Sequence, residues 1–409
     1  MPTTVAILGT FDTKGQEFDY LRRSIETAGV GTLLIDCGVL DAPTLTPDIS
    51  RDEVAAAAGI RIQDLAARRD RGAAIAAMTS GAVLLIQRLF REGRVQGLIS
   101  LGGSAGTTIA TAAMRSLPAG VPKVMVSTLA SGDTRPFVGT KDIVMIYPIV
   151  DIAGLNRLSR RVLGNAAAAI CGMVSQELPE TGAAKPLIAA TMFGVTTPCV
   201  TAARRLLEQS GCEVLVFHAT GTGGMAMEEL IADGYIAGVL DITTTELADE
   251  LAGGVMSAGP RRLEAAGNKG LPQVVCPGAI DMVNFGPLDS VPENYRSRRL
   301  YVHNANVTLM RTTPEESAQL GRMTAGKLNR AAGEVVFLMP LRGVSAIDAE
   351  GMPFWWPEAD QAYLQALKSA LAPRIRLLEL DAHINDESFS RAAAAVLLEL
   401  MKLRGAGLS

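Results

Sequence analysis

Two stretches of polar turn chemistry stand directly behind apolar runs near the start of the chain. GTFDTKGQE, Gly9 to Glu17, follows VAIL, and SLGGSAGTT, Ser100 to Thr108, follows VQGLI. In an open α/β sheet, ligands collect beyond the carboxyl ends of the strands, so such turns are where chemistry belongs. Gly102, Gly103 and Gly106 let backbone N–H groups approach an anion. Ser104 and Thr107 begin a helix whose positive end favours phosphate. Lys14 supplies a point charge, and Thr10 and Thr13 supply hydroxyl donors. Asp12 can hold a magnesium ion through water or accept from a ribose. Asp36, at the end of the next apolar run, stands where a dinucleotide fold keeps a ribose acceptor. Neither turn is G-x-G-x-x-G or a P-loop, so placement and composition carry the phosphate expectation, against the plainer reading of two tight turns.

The second half has its own set. His218 and His303 fall at predicted strand ends, where a histidine's pKa suits acid/base work. Arg342 is a candidate clamp for a carboxylate or phosphate, with a surface ion pair as the alternative. Asp241 lies in a comparable turn, DITTTE, as do Glu246, Asp281 and Asp348, and His383 follows a later strand. No C-x-x-C, H-E-x-x-H or G-x-S-x-G occurs, so neither a metal site nor a serine nucleophile is readable. FWWP, Phe354 to Pro357, is either a packing anchor or a wall of a cleft.

The elements that must position these residues alternate as βαβ units, the grammar of an open parallel sheet. Ser50 and Glu53 form a capping-box pattern ahead of a short helix. TGAAKP at 181–186 reads as a linker, and the grammar then restarts. Val5, Gly29 and Ile35 correspond to Leu187, Gly211 and Phe217 at one constant offset, which argues for a duplicated domain. The expected fold is α/β, with two Rossmann-like doubly wound parallel-sheet domains over 1–180 and 181–409, the C-terminal segment completing the second.

Composition narrows the function. The chain has 409 residues, 48% apolar and 4% aromatic, with 38 basic against 42 acidic side chains. A net charge of −4 steers it toward neither nucleic acid nor anionic lipid. Five cysteines without close pairing read as buried thiols. The first apolar run is too short for a signal peptide and the Ala-rich runs too short to span a bilayer, so a cytoplasmic protein without a membrane partner is expected.

GTFDTKGQE, SLGGSAGTT, FHATGTGGMAMEEL, DITTTELAD, CPGAID, HNANVTLMRTTPEE, PLRGVSAID and DAHINDESF, in this order, resemble the uncharacterised bacterial and fungal proteins related to the ATP-binding inhibitory domain of the tomato mosaic virus resistance protein. The resemblance covers almost the whole chain. It implies two Rossmann-like halves, ATP with its Mg2+ as ligand, and a homodimer, but no settled reaction. The plant protein's antiviral role, binding a viral replication protein, is not carried over to this chain. By residue, the nucleotide falls on Gly9, Thr10, Asp12, Thr13 and Lys14 and on Gly102, Gly103, Ser104, Gly106 and Thr107. Trp356 stands where many relatives have an acidic residue before Pro-Glu-Ala-Asp. The expected function is an ATP-binding protein, read either as an ATP-linked enzyme acting on a small anionic metabolite between the halves or as a non-catalytic, ATP-dependent binding or regulatory protein.

Overall fold

The structure, a computed structural model, describes residues 3–68, 70–176 and 185–403. The chain divides into two compact units, 1–180 and 181–409. Residues 181–184 of the expected linker lie outside the described residues.

The first unit runs β1 (Thr4–Gly9), α1 (Phe11–Thr27), β2 (Gly31–Asp36), α2 (Arg51–Ala57), α3 (Ile62–Arg68), α4 (Arg71–Arg91), β3 (Gly97–Gly102), α5 (Ser104–Arg115), β4 (Lys123–Ser127), α6 (Arg135–Val138), β5 (Val144–Ile146) and α7 (Arg157–Ser175). Its strands pair in parallel in the order β2-β1-β3-β4-β5. Alternation along the strands feeds two cores. Val5, Ile7, Leu34 and Ile99 pack with Phe18, Leu21 and Ile25 of α1 and Leu163 and Ile170 of α7. Ala6, Leu8, Leu33 and Leu98 pack with α2, α4 and α5 on the other face. The Ser50–Glu53 capping box is formed. Among described helices, α4 alone is long and apolar enough to cross a membrane, and its Ala77, Met78, Ala82, Leu85 and Leu89 are spent in this core.

The second unit runs β6 (Leu187–Met192), α8 (Thr197–Gln209), β7 (Glu213–His218), α9 (Thr222–Asp233), β8 (Gly238–Thr243), α10 (Thr245–Ala252), α11 (Ala265–Asn268), β9 (Gln273–Gly278), β10 (Met282–Phe285), β11 (Leu300–Asn304), β12 (Val307–Arg311), α12 (Pro314–Leu328), β13 (Val335–Pro340), α13 (Pro357–Ala370), β14 (Arg376–Leu380) and α14 (Glu387–Leu403). Its parallel sheet, β7-β6-β8-β9-β13-β14, repeats the first order and adds one strand. The duplication is therefore topological, with one slip. Thr4 pairs with Gly31 as Leu187 pairs with Glu213, so the partner of Leu187 is Thr4 rather than Val5.

Two expectations change here. HNANVTLMRTT is not a strand-end turn of the parallel sheet. It is the tip and second strand of a hairpin in a separate antiparallel sheet, β10-β12-β11. FDTK is likewise no loop, because α1 begins at Phe11 and takes these residues as its first turn, with a kink at Lys14 (φ −134°, ψ 26°).

Candidate functional site

A parallel sheet of order 2-1-3-4-5 has its switch point between strands 1 and 3, where the connections diverge to opposite faces and leave a crevice. In the first unit that point lies between the ends of β1 and β3. A cavity of about 900 Å³ opens there, lined by both predicted turns. Thr10, Asp12, Thr13 and Lys14 come from the start of α1, and Gly102, Gly103, Ser104 and Gly106 from the start of α5.

The two helix starts differ. The α1 N-terminus is largely satisfied, with only the Asp12 amide lacking an acceptor among the described residues: Asp36 Oδ1 accepts from the Phe11 amide at 3.1 Å and from the Gly38 amide at 2.9 Å, and the Thr10 carbonyl accepts from the Lys14 amide at 3.1 Å. Asp36 has no solvent exposure, and burial, with Asp12 nearby, pushes its carboxyl up. Asp36 does not line the cavity and cannot serve as the expected ribose acceptor from this position. The α5 N-terminus is open. Its cap is Gly103, which brings no side chain, and the amides of Ser104, Ala105 and Gly106 have no acceptor among the described residues. A Cβ on Gly102 would stand 3.2 Å from the Gly106 Cα, so glycine lets the strand end close on the helix. Such a terminus, with three free donors and the positive end of the helix dipole, suits an anion.

Thr107 and Gly9 also lie off the cavity. The Thr107 hydroxyl is buried, bonded to the Gly103 carbonyl at 2.8 Å and 2.7 Å from the Ser127 hydroxyl. Thr10 and Thr13 place their hydroxyls 3.0 Å apart at the rim. Lys14 Nζ donates to the Ile152 carbonyl.

Sequence reasoning missed the far wall. The connection from β2 to β3, residues 37–96, holds three helices and supplies Val39, Leu65, Asp70, Arg71, Ile75 and Met78 to the lining. Arg71, the first residue of α4, is exposed and has no charged partner among the described residues. Its neighbour Asp70 is occupied as the α4 cap, accepting from Ala73 at 3.0 Å. The lining carries Asp12, Asp41, Asp70 and Asp151 against Lys14 and Arg71. A bare polyanion is therefore poorly matched, and one neutralised by a cation is better matched. Among the described residues no three His, Cys, Asp or Glu side chains are grouped to hold a metal alone, but Mg2+ needs only one or two carboxylates beside phosphate oxygens and water.

The second unit lacks this arrangement. Residues 219–237 link β7 to β8 through one helix. The GTGG turn that opens it is filled from within: Glu246 Oε1 accepts from the Gly221 and Gly224 amides at 2.8 and 3.0 Å. A Cβ on Gly224 would lie 2.2 Å from Glu246 Oε2. Arg262, fully buried, binds Glu246 at 2.6 Å and grips Asp241 with both terminal nitrogens at 2.6 and 2.7 Å. Asp241 is thus part of a buried ion-pair network and is not free for proton transfer.

The other expected catalytic residues are not assembled. His218 is exposed at the end of edge strand β7, against the Phe193 ring at 5.5 Å. Arg342 follows β13, four strand spacings or roughly 19 Å across the sheet, and is paired with Asp381 at 2.7 Å on the surface. His303 is the bulged residue of β11 in the antiparallel sheet, also exposed. His383 is structural, accepting from the Asn385 amide and placing Nε2 2.9 Å from the Ser345 carbonyl. FWWP is a packing anchor: Phe354 is buried and Arg299 lies 4.7 Å over the Trp356 ring. All five cysteines are buried.

Two tandem parallel sheets of one strand order, only the first with an enlarged crossover around its switch point, define a duplicated Rossmann-like α/β protein. The chain belongs to the uncharacterised protein family UPF0261, whose N-terminal domain matches residues 3–179 and whose C-terminal domain matches residues 185–401. A UPF0261 protein of Clostridium tetani is 54% identical over 98% of this chain and all of its own length. The tomato ToMV resistance protein Tm-1(GCR237) is 44% identical over 81% of this chain, which spans 45% of that longer protein. Among solved structures, a UDP-N-acetylglucosamine 2-epimerase aligns over the whole chain at 11% identity with a TM-score of 0.22. An esterase domain from Rhodothermus marinus reaches 0.30 over 53% of this chain. Likeness that low carries no argument about function.

Proposed function

We propose that the first unit binds a nucleotide, ATP with Mg2+, at the β1/β3 switch point. The observation that carries this is the uncapped α5 N-terminus opening into a cavity whose far wall mixes apolar side chains with Asp70 and Arg71. The amides of Ser104, Ala105 and Gly106 take phosphate oxygens, Thr10 and Thr13 add hydroxyl donors, and Lys14 and Arg71 add charge. Asp12 holds the cation through water. Val39, Leu65, Ile75 and Met78 provide an apolar surface for the base. The family resemblance read from the sequence points the same way. Calorimetry with Mg-ATP on the wild type and on Gly103→Val tests it. The Gly103 backbone tolerates a side chain, with only Thr128 Oγ1 at 3.8 Å from a Cβ, so the variant is expected to fold and to place bulk at the open helix start. Absence of nucleotide binding by the wild type at millimolar concentration sinks the reading.

The separation of His218, Arg342 and His303, and the use of Asp241 in a buried network, favour a binding or regulatory protein without turnover. Here ATP acts by binding two states unequally. The ATP-linked enzyme acting on a small anionic metabolite is the second reading, and it requires Arg342 to exchange its Asp381 partner for the substrate. A thermal-shift screen of metabolites with and without Mg-ATP separates the two, because sustained ATP consumption with any hit selects the enzyme. A cytoplasmic homodimer is proposed as the setting, and a 43 kDa species in sedimentation equilibrium would exclude the dimer.

A further inference from the structure

Ser104 stands apart from the other hydroxyls of the cavity. Thr10, Thr13 and Ser104 all line it. The Thr10 and Thr13 hydroxyls lie 3.0 Å apart and partner each other. Ser104 is exposed, and its hydroxyl has no hydrogen-bond partner among the described residues. It is the first residue of α5, so the hydroxyl rises from the same helix start as the free amides of Ser104, Ala105 and Gly106. Glycine keeps its surroundings clear. A Cβ on Gly103 would have only Thr128 Oγ1 beside it, at 3.8 Å, and one on Gly106 only the Leu101 carbonyl, at 3.5 Å.

Gly102-Gly103-Ser104-Ala105-Gly106 does carry G-x-S-x-G spacing, which corrects the expectation drawn from the sequence. It is not the elbow of a serine hydrolase. The elbow serine sits in a sharp, strained turn, whereas Ser104 is helical, and among the described residues only Ile149, Leu263 and Ala279 are non-glycine positions at positive φ. The three histidines of the chain are His218, His303 and His383, so the first unit has none to serve as a base. Phosphoryl transfer makes a smaller demand of this kind. Its transition state is loose, and catalysis rests on positioning and charge.

We propose that Ser104 is a phosphoryl acceptor, and that the protein phosphorylates itself there from a bound nucleoside triphosphate. The inference rests on the nucleotide reading above. A bond forms between Ser104 Oγ and the terminal phosphorus as the bond from that phosphorus to the β,γ-bridging oxygen breaks. The nucleoside diphosphate leaves with the electron pair. The hydroxyl proton passes to a carboxylate of the lining, where Asp41 and Asp151 are exposed. The product is stabilised where it forms. A phosphoserine carries about −1.5 to −2 charges, which suits a helix start, and Lys14 and Arg71 line the same cavity. The attached phosphate then occupies the amides that an incoming phosphate would use. Each chain therefore reacts once, in keeping with a regulatory protein without turnover.

Labelling of the full chain with radioactive Mg-ATP tests this, beside calorimetry on the same samples. Up to one phosphate per chain is expected, placed on Ser104 by tandem mass spectrometry, resistant to hydroxylamine, and gained with a rate constant independent of protein concentration. Ser104→Ala keeps the amide and is expected to fall to background label. Ser104→Thr restores the hydroxyl and is expected to be labelled. Gly103→Val keeps the serine, places bulk at the helix start, and is expected to lose the label. Label that persists on Gly103→Val comes from a foreign kinase and overturns the proposal, as does label that hydroxylamine discharges, which marks an aspartyl phosphate. Nucleotide binding without label overturns the acceptor and leaves the nucleotide reading intact. Absence of both binding and label overturns the two together.

Discussion

The Asp36 carboxylate caps α1 through the Phe11 amide at 3.1 Å, and it does so from the end of the neighbouring strand. Glu246 does the equivalent in the second unit, reaching from α10 to the Gly224 amide at 3.0 Å. Each unit thus satisfies one helix start with a buried internal carboxylate. The first unit leaves another, that of α5, facing a cavity. This division decides which glycine-rich turn can accept an external anion.

Replacing Asp36 by Ala leaves the Phe11 and Gly38 amides without their acceptor. A buried unsatisfied donor costs about 1–3 kcal/mol, so urea denaturation of Asp36→Ala is expected to show a loss of about 2–4 kcal/mol. Asp36→Asn keeps an accepting oxygen and is expected to lose less. Equal losses would mean that charge, rather than the hydrogen bonds, holds the cap.

Stability of the second unit is expected to fall as pH rises through neutrality. Asp281, Asp348 and Asp360 share the single guanidinium of Arg311. Burial, reinforced by Asp348, pushes Asp281 up to about 8 and Asp360 up to about 7. Burial also pushes Asp249 up to about 7. A carboxyl whose folded pKa lies above its unfolded value binds its proton more tightly when folded. Its contribution is full at low pH and is lost as pH climbs through the folded value. Melting temperature should therefore decline from about pH 4, the unfolded carboxyl value, to about pH 8 and level off above it, and Asp281→Asn should flatten that decline. A rise over this range would show that these groups are ionised in the native protein.

Most of the architecture was legible because helix and strand periods are written in apolar spacing: Phe18, Leu21 and Ile25 on α1 face the sheet as that spacing requires. The strand-end turns were legible for the same reason, since a parallel sheet fixes where they point. What sequence hid was long-range. Nothing near Arg71 marks it, because its place in the cavity depends on how three helices fold back over the switch point. Asp36 and Asp241 carry the right chemistry at the right strand ends, but only the fold shows that Phe11 and Arg262 have already claimed them. His303 was misplaced because a hairpin strand and a sheet strand have the same alternation.

Arg71 provides a direct measure of the far wall. It is an exposed cation at the cavity with no charged partner among the described residues, so Arg71→Ala should leave the melting temperature within about a degree or two, as surface changes do. A charge-assisted hydrogen bond to phosphate contributes about 1.5–3 kcal/mol. Calorimetry should therefore find Mg-ATP bound roughly 10–150-fold more weakly. Unchanged affinity would place the phosphates on the α5 side alone.

The Glu246 plug makes the sharpest test of how the second unit is held. Removing Arg262 leaves Glu246, Asp241 and Glu228 facing one another without their shared cation, and breaking a buried pair in this way costs about 3–5 kcal/mol. Arg262→Met should show that loss in urea denaturation. Glu246→Ala is informative in another way. It empties a site bounded by the Gly221 and Gly224 amides and by Arg262, three donors arranged for one carboxylate. Formate or acetate fits the vacated volume and can restore those bonds. Binding to the folded state alone raises stability with ligand concentration. The melting temperature of Glu246→Ala should therefore recover as formate is added, while the wild type gains nothing beyond the effect of chloride at equal ionic strength. Equal responses of variant and wild type would mean that the side chain acts by packing, and that the turn holds no latent anion site.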